Sequence, residues 1–115
     1  MPEESEKVLN FVIERDGETA VVKCHGRLVA GTTEEFYGEV KQLLPQTKSV
    51  VVDLAELTYV DSTGLGTLVR LHASARKVGC EFKLLHLGKQ LRNVLKLTNL
   101  LGVFAQAEDH GINIA

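Results

Sequence analysis

The short apolar run at residues 49–54 (S-V-V-V-D-L) constrains the fold more than any other feature of the sequence. A continuous run of this kind is typical of a strand that is covered on both faces. Strands of that type occur in parallel sheets, in which the connections between strands are helices. The run therefore predicts a central strand, and the segments before and after it should supply helices.

Strand and helix signals alternate on both sides of this run. Residues 8–15 and 19–25 predict two strands joined by the hairpin turn signal Asp16-Gly17, and Gly26 should break the second strand. The other predicted elements, in chain order, are a helix at residues 32–44 with a Thr32–Glu35 capping box, a helix from Asp61-Ser62 to about Val78, a strand at residues 81–86, a helix at residues 90–97 and a weak strand at residues 103–106.

This order of elements predicts an α/β fold. The sheet should be mixed and mostly parallel, with an antiparallel N-terminal hairpin at its edge and with helices packed against it. A chain of 115 residues has room for one hydrophobic core. We therefore expect a single domain at residues 8–106, with short terminal segments at residues 1–7 and 107–115.

Composition argues against several classes of function. A net charge of −2 and an aromatic content of 5% do not suit nucleic-acid binding. Two cysteines are too few for the disulfide framework of a small secreted domain. The acidic start of the chain is unlike a signal peptide, and no apolar run approaches the roughly 18 residues of a membrane span. We expect a cytoplasmic protein with reduced thiols, no membrane span and no nucleic-acid partner.

A functional site is expected in the segment Asp61-Ser62-Thr63-Gly64-Leu65-Gly66. It follows the central strand and opens the longest predicted helix, at the sheet edge where sites of open α/β proteins collect. The Ser62 hydroxyl should lie near the unpaired N–H groups at the positive end of that helix. Gly64 and Gly66 each weaken a helix by roughly 1 kcal/mol relative to alanine, which suggests that another molecule approaches the backbone there.

A structural interpretation of the same segment stays open. Asp-Ser before an apolar helix is first of all an N-cap. Glycines in a first helical turn also allow close packing of a helix on a sheet. The hexapeptide alone does not separate these possibilities.

The wider stretch V-V-V-D-L-A-E-L-T-Y-V-D-S-T-G-L-G-T-L resembles the heart of the anti-sigma factor antagonist family, the STAS domains. In that family a buried strand ending in Asp-Leu leads into Asp-Ser-Ser/Thr-Gly-Leu-Gly. Weaker matches are Gly26-Arg27-Leu28 and the stretch at residues 95–100. The resemblance extends over about residues 8–104 and implies a single STAS-like domain.

The resemblance implies a switch without catalysis or cofactor. In the family, an anti-sigma factor with serine kinase activity phosphorylates the serine directly after the aspartate, which is Ser62 here. The unmodified antagonist binds the anti-sigma factor and so frees a sigma factor for transcription, and a metal-dependent Ser/Thr phosphatase reverses the modification. The implied partner-binding residues are Asp61, Ser62, Thr63, Gly64, Leu65 and Gly66, together with Arg27 and Thr32.

One departure from the family pattern leaves an alternative open. Many phosphorylated relatives have Gly-Glu-Leu-Asp before the first helix, whereas this chain has Gly26-Arg27-Leu28-Val29. Without that acidic residue, the fold could serve as a non-phosphorylated scaffold or as a regulatory subunit of a larger signalling or transport complex. Whether the chain is a monomer or a weak dimer also stays open.

Other site chemistry finds no support in the sequence. No metal-ligand spacing relates the four histidines His25, His72, His86 and His110. Gly64-Leu65-Gly66 begins like a dinucleotide-binding motif, but Val69 stands in place of its third glycine, and no P-loop lysine follows. Ser62 lacks the G-x-S-x-G context of a nucleophile. We expect no metal and no cofactor, and nucleotide binding stays open as the least favoured function.

Overall fold

Within the described part of the chain, five strands lie in the sheet in the order in which they occur along the sequence. The computed structural model describes residues 8–100, 102 and 104–106. The strands, in sheet order, are β1 (Leu9–Asp16), β2 (Thr19–Leu28), β3 (Ser49–Val60), β4 (Glu81–Leu85) and β5 (Ala105–Gln106). β1 and β2 pair antiparallel, and all later neighbours pair parallel. The predicted mixed sheet with an antiparallel edge hairpin is confirmed.

Three helices connect the parallel strands. They are α1 (Thr33–Leu43), which continues into a 3-10 turn at Leu44–Gln46, α2 (Ser62–Lys77) and α3 (Lys89–Leu97). Gly79, with a φ of +75°, follows α2 as the predicted helix stop. Val103, His110 and the predicted terminal segments lie outside the described residues.

The helices share one face of the sheet and bury the main core against it. Because side chains alternate along a strand, Val50 and Val52 of β3 face this core, whereas Val51 lies on the opposite face in a small cluster with Val21 and Leu85. The three valines of the apolar run, Val50, Val51 and Val52, are fully buried, as that run predicted. The helical side chains buried in the core are Phe36, Val40, Leu43, Leu68, Leu71, Ala75 and Leu95.

The central strands are longer than the sequence predicted. β2 does not stop at Gly26 but continues to Leu28, with shifts in its register against β3 on either side of Gly26. Gly26 has a φ of +112°, and a Cβ there would collide with the carbonyl oxygen of Val8. Glycine therefore allows the strand to continue past a close backbone contact. β3 extends to Val60, which brings the ends of both strands to the start of α2.

The apolar side chains of α3 are only partly buried. Leu95 is fully buried, but the side chain of Val94 is 36% exposed and that of Leu97 is 85% exposed. α3 therefore contacts the core along a narrow line and leaves apolar side chains at the surface.

Within the described part of the chain, no helix is long and apolar enough to cross a membrane.

Two leucines of α3 provide a test of this packing. Leu95→Ala should lower the free energy of unfolding by about 2–5 kcal/mol, because it leaves a cavity in the core. Leu97→Ala should change it by less than about 0.5 kcal/mol, because that side chain lies in solvent. Urea denaturation of the two variants measures the difference, and equal losses would contradict the orientation of α3.

Candidate functional site

Asp61 joins the two chain segments that form the candidate site. It is the N-cap of α2, and its Oδ1 accepts the Gly64 N–H at 2.8 Å. Its Oδ2 accepts the Ala30 N–H, from the loop between β2 and α1, at 3.0 Å. These backbone donors, Gly64 foremost, hold the pKa of the Asp61 carboxyl below its ordinary value. The predicted N-cap is confirmed, and the same carboxylate also fixes the neighbouring loop.

Gly64 serves internal packing and does not leave the backbone exposed. The residue is buried, and a Cβ there would collide with the carbonyl oxygen of Leu28 and lie 3.0 Å from Cγ1 of Val60. The interpretation that Gly64 exposes the first turn of α2 to another molecule is therefore wrong. The group that approaches this backbone belongs to β2 of the same chain. Gly66 differs, because a Cβ there would meet nothing within 4 Å.

The side chains at the start of α2 point in two directions. Ser62 and Thr63 are exposed, whereas Leu65 is half-buried and packs against the core. Because Asp61 already caps the helix, the Ser62 hydroxyl has no capping role and stands at the surface in the first turn. The segment thus presents hydroxyl groups at the positive end of a 16-residue helix.

The loop between β2 and α1 is fixed by Thr32. Its hydroxyl accepts the Val29 N–H at 3.0 Å and lies within hydrogen-bond distance of the carbonyl oxygens of Val29 and Arg27, at 2.9 and 3.2 Å. The predicted capping box at Thr32 is wrong, because Thr32 is the N-cap of α1 by position but makes no side-chain cap bond. The hydroxyl closes the loop instead. Arg27 is exposed and pairs in register with Tyr59 of β3.

An open groove of about 640 Å³ lies beside Ser62 and includes residues that the sequence did not single out. One wall is the last part of β3, where the Tyr59 side chain is 48% exposed. The other wall is the first half of α3. The lining residues from α3 are Lys89, Gln90, Leu91 and Val94. Because α3 follows β4, the strand next to β3, it begins at the carboxyl edge of the sheet. That position was the feature of the sequence that could have indicated these lining residues.

The two cysteine thiols and the His72 ring pack against other side chains of the domain. Cys24 and Cys80 are free and buried. Burial, reinforced by the charge of Asp53, raises the pKa of the Cys24 thiol to about 12, and burial also raises the pKa of Cys80. His72 packs edge-on against Phe104 with ring centroids 5.4 Å apart, and burial lowers its pKa. These groups stay neutral near pH 7, as side chains of a core do.

Comparison with known families identifies the fold. A family model described as "Mlab, STAS domain" matches residues 11–105. The chain belongs to the STAS domain family. A curated relative, a STAS-domain containing protein of Pseudomonas aeruginosa strain UCBPP-PA14, is 27% identical over 89 residues, which cover 77% of this chain and 88% of the relative.

Solved STAS structures share this architecture. The anti-sigma factor antagonist SpoIIAA in its unphosphorylated form superimposes with a TM-score of 0.73, at 18% identity over 91% of this chain and 100% of that chain. The phosphorylated form of SpoIIAA from Bacillus gives a TM-score of 0.72, at 19% identity over 90% and 100% of the two chains. At these identities the likeness shows the STAS fold.

In this STAS domain, the two glycines near the start of α2 should respond in opposite ways to substitution by alanine. Gly64→Ala should lower the free energy of unfolding by about 1–3 kcal/mol, because the Leu28 backbone must move. Gly66→Ala should raise it by up to about 1 kcal/mol, because alanine favours the helix and meets no neighbour. Chemical denaturation measures both effects, and a stabilised Gly64→Ala variant would contradict the packing.

The Asp61 cap should make stability depend on pH. A folded-state pKa below the unfolded value means that the ionised carboxylate stabilises the fold above the unfolded pKa, and that this contribution is lost as pH falls through the folded pKa. Asp61→Asn should therefore be less stable than the parent at pH 7, and the gap should narrow below about pH 4. Urea midpoints at several pH values test this, and a gap that is constant across the acid range would argue against it.

Proposed function

We propose that this STAS domain is an anti-sigma factor antagonist that is switched by phosphorylation at Ser62. In this proposal the unmodified chain binds an anti-sigma factor with serine kinase activity and thereby promotes sigma-factor-dependent transcription in the cytoplasm. Phosphorylation by that partner ends the interaction, and a metal-dependent Ser/Thr phosphatase restores it. The domain itself acts by binding and catalyses no reaction.

The observation that carries the proposal is the exposure of Ser62 beside an N-cap that is already complete. Since Asp61 accepts the Gly64 and Ala30 N–H groups, the Ser62 hydroxyl can be esterified without the loss of a bond that the fold needs. A phosphoryl group adds about −1.5 to −2 charges. The positive end of α2 favours such a charge.

Relatives support the survival of the fold after modification. SpoIIAA has been solved in its unphosphorylated and phosphorylated forms, and this chain superimposes on the two equally well, with TM-scores of 0.73 and 0.72. We infer that phosphorylation of Ser62 changes the surface of this domain and leaves its backbone arrangement intact.

Loss of binding then follows from desolvation and repulsion. A partner that covers Ser62 and Thr63 would have to remove water from a dianion that lies next to the Asp61 carboxylate. The Asp61 oxygens are engaged by N–H groups and offer the phosphate no donor. Burial of a charge without a compensating partner is strongly unfavourable. The partner surface would include Asp61, Ser62, Thr63, Leu65, Gly66, Arg27 and Thr32, with Gly64 contributing as internal support.

The loop before α1 favours a second candidate, a STAS subunit that is not phosphorylated. Exposed Arg27 and half-buried Val29 stand where many phosphorylated relatives have glutamate and aspartate. In that case the same surface would hold a larger signalling or transport complex together, without a kinase.

Phosphorylation and binding assays separate the two candidates. Incubation with ATP and an anti-sigma factor that has serine kinase activity should add one phosphate to the parent chain and to Thr63→Ala, but none to Ser62→Ala, as read by mass spectrometry. Ser62→Ala should bind that kinase as the parent does in calorimetry, whereas Ser62→Asp should bind at least about tenfold more weakly. Equal affinities of Ser62→Ala and Ser62→Asp, without phosphate transfer, would support the scaffold.

A further inference from the structure

The last part of β3 is a sheet edge. β4 pairs with β3 only as far as Leu85 opposite Asp53, and beyond that point β3 pairs with β2 alone as far as Val60. At the same point His86 has a φ of +62° and its Nδ1 lies 2.9 Å from Oδ1 of Asp53, so the chain turns away. Among the described residues, no backbone hydrogen bond joins residues 54–60 to the segment after β4.

This edge forms one wall of the groove beside Ser62, and its length suits an added strand. Seven residues, 54–60, lie beyond the β3–β4 pairing, which corresponds to about 23 Å at a rise of about 3.3 Å per residue. An unpaired edge of this length is a template for pairing with another chain. Apolar side chains line the groove next to the edge, namely Leu54, Leu57, Leu65, Leu91 and Val94.

The charged side chains that line the groove indicate which kind of segment it binds. Its charged lining residues are Asp61 and Lys89, and both Asp61 oxygens accept backbone N–H groups. Lys89 is exposed and makes no ion pair within the described part of the chain. The charged residues of α3 are all cationic, Lys89, Arg92 and Lys96, in a chain of net charge −2. The groove therefore presents an apolar floor, with Lys89 as the charged lining residue whose side chain makes no ion pair within the described residues.

We propose that this groove binds an extended segment of the partner protein in which apolar and acidic residues alternate. The segment pairs with the free edge of β3, places its apolar side chains between β3 and α3, and directs a carboxylate to Lys89. This mode of recognition combines main-chain hydrogen bonds with side-chain pockets. The inference rests on the proposed function for the existence of a protein partner.

The groove also relates Ser62 to the partner directly. Ser62 lines the same groove as Lys89. A phosphoryl group on Ser62 introduces up to two negative charges at the mouth of a site that attracts carboxylates. It would repel the acidic segment and compete with it for Lys89, so phosphorylation need not change the fold in order to release the partner.

A peptide titration tests the groove without any kinase or natural partner. The probe is the acetylated and amidated peptide Glu-Val-Glu-Ile-Glu-Val, and the matched control replaces each glutamate with lysine. Two-dimensional NMR of the ¹⁵N-labelled full chain should show shifts at residues 54–60 and 89–94. The acidic peptide should bind at least about threefold more tightly than the basic one, the size of effect expected for an exposed ion pair. Amide hydrogen exchange should slow at those N–H groups of residues 55–60 that point away from β2, as strand pairing requires, whereas the Ala55 N–H is already bonded to Asp53.

Two charge-reversal variants test whether Lys89 causes the preference for the acidic peptide. Lys89→Glu should abolish or invert the preference for the acidic peptide. Lys77→Glu, at the other end of α2 and about 22 Å along the helix from Ser62, should leave it unchanged. The proposal is overturned if the two peptides bind alike, if shifts fall outside the groove, if exchange at residues 55–60 is unaffected, or if no binding occurs. None of these results bears on phosphate transfer to Ser62, so the two proposals can fail separately.

Discussion

The carboxylate of Asp61 is the constraint on which the site depends. One oxygen closes the first turn of α2 through the Gly64 N–H, and the other holds the loop before α1 through the Ala30 N–H. The backbone N–H of the same residue donates to the Leu28 carbonyl at 3.3 Å, so β2, β3 and α2 meet at one point. Only glycine at position 64 permits this approach of helix to strand. Ser62 is exposed because its neighbours already satisfy the helix end.

In the proposed switch, this arrangement separates the fold from its regulation. The hydrogen bonds that hold the helix start belong to Asp61, and the hydroxyl that we propose as the site of modification belongs to Ser62, one residue later. A charge added to Ser62 therefore acts on whatever covers the surface. The groove between β3 and α3 extends that surface beyond residues 61–66 and would give the proposed partner both backbone groups and an apolar floor.

Much of the fold could be predicted from local sequence because local patterns decide it. The valines at positions 50–52 are fully buried in the central strand, and Phe36 and Val40, which lie four residues apart in the predicted first helix, are buried together on one face of α1. The N-cap at Asp61 was also visible. Features that depend on contacts between residues distant in sequence could not be predicted. Glycine is needed at positions 26 and 64 because the carbonyl oxygens of Val8 and Leu28 lie where a Cβ would be. The Thr32 hydroxyl makes its hydrogen bonds within its own loop. The groove depends on where β4 stops pairing with β3, which no local pattern encodes.

The most direct test of the central claim is amide hydrogen exchange at Gly64 and Ala30, measured by NMR before and after phosphorylation of Ser62. These two N–H groups report the bonds that Asp61 makes. If the carboxylate alone holds the helix start, both amides should keep their protection in the phosphorylated chain. Faster exchange at both would show that the phosphate displaces Asp61 and that the switch works by changing the fold, which would contradict the account.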